Sequence, residues 1–151
     1  MRPSTASSAL LLLLSGCAVR EAKDLLDQVR DEDYRTTWAR APGWEQPRTA
    51  GTGPHGAYVD IWVNDVMQVA IDAGTAIERW PEGSIVAKDG YNDAEGDDLK
   101  YIALMERRGG GWFFAEFSDD DRVVIANENA SKCTRCHDDG ADGVLAFGLP
   151  G

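Results

Sequence analysis

The chain has 151 residues and a formal net charge of −11 at pH 7, because 26 acidic side chains face only 15 basic ones. This length suits one domain with a single hydrophobic core. The negative charge excludes nucleic acid as a partner, since binding to phosphates needs a basic surface. It favours a solvated surface or docking to a basic redox protein.

Residues 1–16 are predicted to be a bacterial lipoprotein signal peptide. Arg2 gives a basic start, residues 9–14 are apolar, and Leu14-Ser15-Gly16-Cys17 fits the site at which such leaders are cleaved and the new N-terminal cysteine is acylated. The apolar run is too short to span a bilayer. We therefore expect a periplasmic protein anchored by lipid at Cys17, in the outer rather than the inner membrane because Ala18, not aspartate, follows. An ordinary cleaved signal peptide is the alternative.

The mature chain is predicted to begin with a helix. Residues 17–33 form an N-terminal helix or tether, and residues 34–151 form the domain. Apolar residues at helical spacing predict an amphipathic helix over residues 20–40; they are Ala22, Leu25, Leu26 and Val29. A loop rich in proline and glycine follows, from Pro42 to Pro54.

The middle of the chain predicts an antiparallel sheet of four or five strands. Asn64-Asp65 is expected to cap a short helix, Gly109-Gly110-Gly111 to form a hairpin turn, and the acidic residues 89–98 to form a surface loop. A second short helix is expected to begin near Glu128. The strand-like segments are residues 58–63, 84–88, 99–107, 112–117 and 123–126.

Cys133-Thr134-Arg135-Cys136-His137 has the Cys-x-x-Cys-His spacing that attaches a c-type haem. The two thiols add across the haem vinyl groups, and His137 ligates the iron. Zinc also uses Cys-x-x-Cys, but His55 is the only other histidine. The predicted export signal favours haem over zinc, because c-type haem is attached covalently outside the cytoplasm. We predict one haem c per chain, packed on the sheet of an α+β domain.

Several further motifs surround this pentad in a characteristic order: Tyr34-Arg-Thr-Thr-Trp38, Gly53-Pro-His-Gly56 followed by Val63-Asn64, Pro81-Glu-Gly-Ser-Ile-Val-Ala-Lys88, and Trp112-Phe-Phe114. Together with the late haem motif they resemble the cytochrome P-460 and cytochrome c′-beta family, over about residues 34–147. The resemblance implies a mostly β domain, commonly a homodimer, whose haem has an open distal face for small nitrogen compounds.

The resemblance also implies a role for Lys88. Members of the cytochrome P-460 branch oxidise hydroxylamine and have a lysine at this position that is covalently joined to the porphyrin. Independently, strand alternation places Ser84, Val86 and Lys88 on one face and Ile85 on the other. Burial would make the Lys88 amine nucleophilic by lowering its pKa. A surface lysine that ends a strand is the alternative.

A proton acceptor for hydroxylamine is harder to assign. The resemblance implies a carboxylate on the strand of residues 99–107, but the matching position holds Ala103 or Met105. Glu106 is adjacent, although alternation turns it to the opposite side. Glu116 is the second candidate, and Asp60 on another strand is the third.

Other residues near the haem leave two functions open. Ala103, Met105 and three phenylalanines (Phe113, Phe114 and Phe117) are candidates for an apolar pocket that admits nitric oxide. Met67 or Met105 would make an electron carrier if it ligated the iron. His55 is a candidate to ligate the iron, to form a hydrogen bond with a haem propionate or to cap the turn in which it lies. The chain is therefore expected to oxidise hydroxylamine and pass electrons to a soluble cytochrome, or to bind nitric oxide or carry electrons without catalysis.

Overall fold

The computed structural model describes residues 8–51 and 53–151. Four helices and seven strands follow one another in this part of the chain. Their bounds are α1 (Ser8–Asp31), α2 (Tyr34–Thr37), β1 (Ala39–Arg40), β2 (Thr49–Ala50), β3 (Tyr58–Val63), α3 (Asp65–Ala73), β4 (Ile85–Tyr91), β5 (Leu99–Arg108), β6 (Gly111–Ser118), β7 (Val123–Glu128) and α4 (Ser131–His137).

All strands belong to one antiparallel sheet with the order β1-β3-β4-β5-β6-β7, and β2 pairs with a second part of β3. The five long strands β3 to β7 correspond to the five predicted segments, although β4 begins one residue later than predicted, at Ile85. The predicted α+β fold with an antiparallel sheet is therefore confirmed. The two further strands have only two residues each, too few for alternation of apolar and polar residues to reveal them.

The helix α1 covers one face of the sheet, which we call the helix face. Ala22, Leu25, Leu26 and Val29 lie along one side of α1 and are buried. They pack against side chains that alternate out of the sheet, including Trp62, Ala87, Ile102, Leu104, Phe113 and Phe117. The segment predicted as a helix or tether thus contributes apolar side chains to the core of the domain.

The other face of the sheet, which we call the site face, is also covered. Its core includes Ile61, Val86, Met105, Phe114 and Trp112, and the segment after β7 packs against them through Ala130, Cys133 and Val144. The helix α4 lies in this covering segment. The sheet is therefore buried on both faces, and its strands contain long apolar stretches.

The predicted helix over residues 20–40 is interrupted. Asp33 adopts a left-handed backbone conformation, with φ of 49°, and separates α1 from the single turn α2. A left-handed residue cannot continue a right-handed helix, and aspartate tolerates this conformation better than most residues. The break turns Tyr34 inward, where its ring packs edge-on against Trp62.

The short helix α3 begins as predicted. The Asn64 side chain accepts a hydrogen bond from the Met67 backbone at 3.2 Å, which satisfies a free N–H at the helix start. The same oxygen accepts a bond from the Ile85 backbone at 3.0 Å. The cap therefore also joins α3 to the start of β4. The last helix, α4, begins at Ser131, after β7 has ended at Glu128.

The prediction of a surface loop over residues 89–98 is wrong at its start. Asp89 lies within β4, and none of its surface is exposed. Its carboxylate accepts hydrogen bonds from the Tyr34 hydroxyl and from Arg35 Nε, both at 2.6 Å, and from the Tyr91 hydroxyl at 3.3 Å. A buried carboxylate needs such donors. Two of them, Arg35 and Tyr34, lie 54 and 55 residues away in the chain, so the alternation of residues within the strand does not reveal them.

Part of the predicted signal peptide, residues 1–7, lies outside the described residues. From Ser8 onward the helix α1 passes through Cys17, which is exposed, before it reaches the sheet. Within residues 8–51 and 53–151, none of the helices has both the length and the apolar character that crossing a bilayer requires.

Replacement of Asp89 tests the link between α2 and the sheet. We expect Asp89→Ala to lower the free energy of unfolding by about 3 kcal/mol, because it removes a charge-assisted bond to Arg35 and leaves the Tyr34 hydroxyl buried without its acceptor. Urea denaturation measures the change. Asp98→Asn, an exposed position on the following loop, is the control and should change stability by no more than about 0.5 kcal/mol. Equal effects of the two substitutions would contradict this account.

Candidate functional site

One row of side chains crosses the five long strands on the site face. Cα pairing joins Ile61 to Lys88, Lys88 to Ala103, Ala103 to Glu116, and Glu116 to Ile125. Neighbouring strands lie about 4.8 Å apart, so Lys88 and Glu116 are two strands apart with only the small side chain of Ala103 between them. The row therefore places a short, partly exposed apolar side chain between an amine and a carboxylate, and we call this position the gap at Ala103.

Lys88 lies in the position that alternation predicts. Its neighbours Ile85 and Ala87 are buried on the helix face, which directs Lys88 to the site face. Burial lowers the pKa of the Lys88 amine, and the negative charge of Glu116 partly opposes this shift. A larger fraction of the amine is therefore neutral and nucleophilic than in an exposed lysine.

Glu116 pairs with His55, which sequence analysis did not connect with it. His55 Nδ1 donates a hydrogen bond to Glu116 Oε2 at 2.6 Å, and the two side chains are 21% and 12% exposed. The bond fixes the carboxylate on the site face and leaves its second oxygen available. His55 is the more exposed of the two side chains, and both are partly accessible from the surface.

Gly90 explains how His55 reaches this place. A Cβ atom at Gly90 would overlap the carbonyl oxygen of His55, so only glycine allows the loop to lie so close to β4. Lys100 Nζ donates to the Pro54 carbonyl at 3.3 Å, and the Ala57 backbone donates to Tyr91 at 2.8 Å. These two hydrogen bonds hold the loop against the sheet on both sides of His55.

The other carboxylate candidates lie on the helix face. Glu106 pairs in register with Ile85 and Phe113, and its carboxylate accepts from Arg108 Nε at 2.8 Å. Asp60 is buried and accepts from Arg40 at 2.8 Å. The sheet therefore separates both from Lys88, and Glu116 is the one of the three candidates on the same side.

The structure corrects part of the predicted apolar pocket. Phe113 and Phe117 are core residues of the helix face, so the expectation that they line the site is wrong. Phe114 and Met105 do lie on the site face, paired with each other in the row next to Lys88. Met67 is fully buried in α3, within the same apolar core.

The helix α4 carries the predicted haem-attachment residues. Cys133 and Cys136 are both free thiols; Cys133 is half-buried against the core of the site face, and Cys136 is exposed. Burial raises the pKa of the Cys133 thiol, and the negative charge of Glu116 raises it further. The negative charge of Glu116 therefore acts on Cys133 as well as on Lys88.

His137 ends α4 with a defined ring orientation. Its Nδ1 donates to the Gly143 carbonyl at 2.7 Å, and the Phe114 ring packs edge-on with the two centroids 5.2 Å apart. Burial lowers the pKa of His137; the Gly143 bond opposes this, and Lys88 and His55 lower it further. A neutral imidazole with its proton on Nδ1 has a free lone pair on Nε2, as a metal ligand requires.

These residues fit a covalently attached haem. Two unpaired thiols lie one helical turn apart, and the adjacent imidazole has its Nε2 free of hydrogen bonds to the described residues. A small residue, Ala103, leaves space on the sheet beside them, with Lys88 and Glu116 at its edges. The sequence named every member of this set and named His55 as a candidate as well, but it did not predict the pairing of His55 with Glu116, which depends on the close approach of the loop to Gly90.

Comparison with known proteins gave one match. The sequence profile of the family described as Cytochrome P460 matches residues 31–144. Neither a search of curated proteins nor a search of solved structures found a matching relative.

Gly90→Ala tests whether the close loop packing places His55. We expect the substitution to lower the free energy of unfolding by about 2–3 kcal/mol, because the new methyl group forces the His55 backbone away from β4. Chemical denaturation measures the loss, and the ¹⁵N shifts of the His55 ring report separation from Glu116. Gly53→Ala, in open space on the same loop, is the control and should preserve both. Unchanged His55 shifts in Gly90→Ala would refute the packing argument.

Proposed function

The chain belongs to the cytochrome P-460 family, which binds c-type haem covalently, and we propose on that basis that it binds small nitrogen compounds at an open haem iron and oxidises hydroxylamine. Cys133 and Cys136 would hold the haem through thioether bonds, and His137 would be the axial ligand. The haem supplies an iron that binds the nitrogen compound and exchanges single electrons.

The observation that carries this proposal is the position of Glu116. The resemblance implies a distal carboxylate at Ala103 or Met105, and neither residue has one. Glu116 pairs with Ala103 across β5 and β6, so the carboxylate is displaced by only one strand, on the same face as Lys88. A carboxylate in this place is a candidate proton acceptor for a bound nitrogen compound.

In the proposed reaction, side chains of the protein would take up the protons, and a partner protein would take the electrons. For every two electrons removed from hydroxylamine, two protons also leave. Glu116 would accept a proton on the oxygen that His55 does not occupy and would release it to water at the partly exposed edge of the site, while the Nδ1–H of His55 would hold the carboxylate in place. The electrons would leave one at a time to a soluble cytochrome, and the acidic surface of the chain would favour a basic partner.

We propose that Lys88 forms the cross-link that the family resemblance implies. Its buried, partly neutral amine is directed to the site face beside the gap at Ala103. The bond would replace one N–H of the amine and one C–H of the porphyrin edge. Two electrons and two protons would leave, which requires a two-electron oxidant such as a peroxide. Such a link would distort the ring and change its electronic properties.

Binding of nitric oxide without catalysis is the second candidate. It is favoured by the apolar character of the next row on the site face, where Val86, Met105 and Phe114 lie side by side. An apolar pocket admits a small neutral ligand and offers no stabilisation to a charged one. In this case Glu116 would bind His55 for structural reasons alone.

The location and assembly of the protein are part of the proposal. We propose that it faces the periplasm, with a lipid on Cys17 in the outer membrane. In support, Cys17 is exposed on α1 and precedes Ala22, the first of the described side chains in the core under this helix. A homodimer is also proposed, as the family resemblance implies.

Mass spectrometry of a protease digest tests the attachment residues. We expect one haem-bearing peptide that contains Cys133 and Cys136 and is also joined to the peptide of Lys88. Lys88→Ala should leave haem on the two cysteines and shift the ferrous absorption bands, because the ring loses its amine substituent. Lys23→Ala, at an exposed lysine on α1, should change neither. A haem peptide without Lys88 would exclude the cross-link.

Hydroxylamine oxidation tests Glu116. We expect anaerobic turnover with an added electron acceptor, and Glu116→Gln should reduce kcat by roughly 10²–10⁴-fold because the amide cannot accept the proton. Glu106→Gln makes the same chemical change on the helix face and should retain activity. Tight nitric oxide binding without acceptor reduction by the unaltered protein would favour the second candidate. Equal turnover in the two variants would remove Glu116 from the reaction.

A further inference from the structure

The chain after His137 folds into a tight turn that faces the imidazole. The Ala141 and Val144 backbones donate hydrogen bonds to each other at 2.9 and 3.2 Å, so only Asp142 and Gly143 lie between them. Both central residues have left-handed backbones, with φ of 49° and 84°. Asp-Gly is a preferred pair for such a type I′ turn. The turn presents the Gly143 carbonyl that accepts the bond from His137.

Two buried tryptophans hold this turn against the sheet. Trp112 Nε1 donates to the Asp142 carbonyl at 2.6 Å, and Trp80 Nε1 donates to the Ala141 carbonyl at 3.2 Å. Gly143 is needed for this contact, since a Cβ atom there would lie 2.6 Å from Trp112 Nε1. Because both indoles belong to the apolar core, the turn has little freedom to move relative to the site face.

The Asp142 side chain also holds the turn in place, through a charged group. Its carboxylate accepts from the Trp80 backbone at 2.7 Å and faces Arg107 Nη2 at 3.6 Å. The Arg107 and Asp142 side chains are only 12% and 19% exposed, so water screens their attraction weakly. Asp142 thus ties the turn to the segment before β4 and to the end of β5 at once.

We propose that Asp142 is a positioning residue for the axial ligand and thereby sets the reduction potential of the haem. The inference rests on His137 as axial ligand, which is part of the proposed function. A partner that binds the second ring nitrogen of a ligating histidine fixes its tautomer and increases its donation to the metal. Here that partner is a backbone carbonyl, so the residue that holds the turn controls the strength of the bond.

The sign of the effect follows from the chemistry of the ligand. When Asp142 is removed, the turn loses its bonds to Trp80 and Arg107, and the Gly143 carbonyl moves away from His137 Nδ1. The imidazole then donates less charge to the iron, which disfavours the ferric form more than the ferrous form. The reduction potential therefore rises, and the bond between iron and histidine weakens.

The test uses the haem-loaded full chain and two measurements. Spectroelectrochemistry gives the midpoint potential, and resonance Raman spectroscopy of the ferrous form gives the iron–histidine stretching frequency. For Asp142→Ala we expect the equilibrium to shift toward the ferrous form on the order of tenfold, which is about 59 mV for one electron, and the stretching band to move to lower frequency. Asp142→Asn should give a smaller shift in the same direction, because its amide oxygen still accepts from Trp80.

Asp139→Asn is the matched control for charge. It removes one negative charge even closer in sequence to His137, from an exposed side chain without a hydrogen bond to the described part of the chain. Its potential should change only by the through-space effect of that charge, and its stretching band should stay in place. If the bands of both Asp142 variants also stay in place, the inference is overturned, whatever the potential does.

Three other outcomes are equally decisive. If Asp142→Ala does not fold, Asp142→Asn and Arg107→Gln carry the test, and an unmoved stretching band in both overturns the inference. If the ferrous haem of the unaltered protein is five-coordinate and shows no iron–histidine band, His137 is not the axial ligand, and the inference falls together with that part of the proposed function. A moved band with no loss of hydroxylamine oxidation or nitric oxide binding would support Asp142 independently of the reaction.

Discussion

The register of one antiparallel sheet, buried on both faces, governs everything else in this molecule. Alternate residues of each strand belong to different faces, so a shift of one residue in β4 or β6 would move Lys88 or Glu116 under α1. Burial on both sides makes such a shift costly, because each face would then receive side chains suited to the other. The same constraint places Glu106 and Asp60 away from the site.

The site face gains its reactive character from small residues as much as from charged ones. Ala103 leaves a gap between an amine and a carboxylate, and Gly90 lets the loop of His55 lie on β4. Larger side chains at these two positions would fill the space and displace His55. The pair of His55 and Glu116 is thus a consequence of packing, and it brings together residues 61 positions apart in the chain.

The two sides of the proposed haem site differ in rigidity. Three indoles, those of Trp44, Trp80 and Trp112, donate hydrogen bonds to backbone carbonyls of the C-terminal segment. This arrangement holds the side of His137 firmly against the core. The opposite partners, His55 and Glu116, are partly exposed and can exchange protons with water. A firmly held ligand on one side and a partly exposed polar pair on the other would suit the proposed binding and oxidation of a small molecule.

The sequence by itself determined the haem motif, the five long strands, the cap of α3 and the face on which Lys88 lies, because each depends on spacing within a short segment. It did not determine that Asp89 is buried, that α1 ends at Asp31, or which glutamate shares a face with Lys88. The burial of Asp89 and the pairing of Glu116 depend on Tyr34 and His55, which are more than 50 residues away in the chain. The end of α1 depends on the left-handed backbone of Asp33, and the face of each glutamate depends on the register of the strands. Only the tertiary structure decides which distant donors meet a given carboxylate, because local periodicity contains no information about the close backbone contacts, as at Gly90, that bring them together.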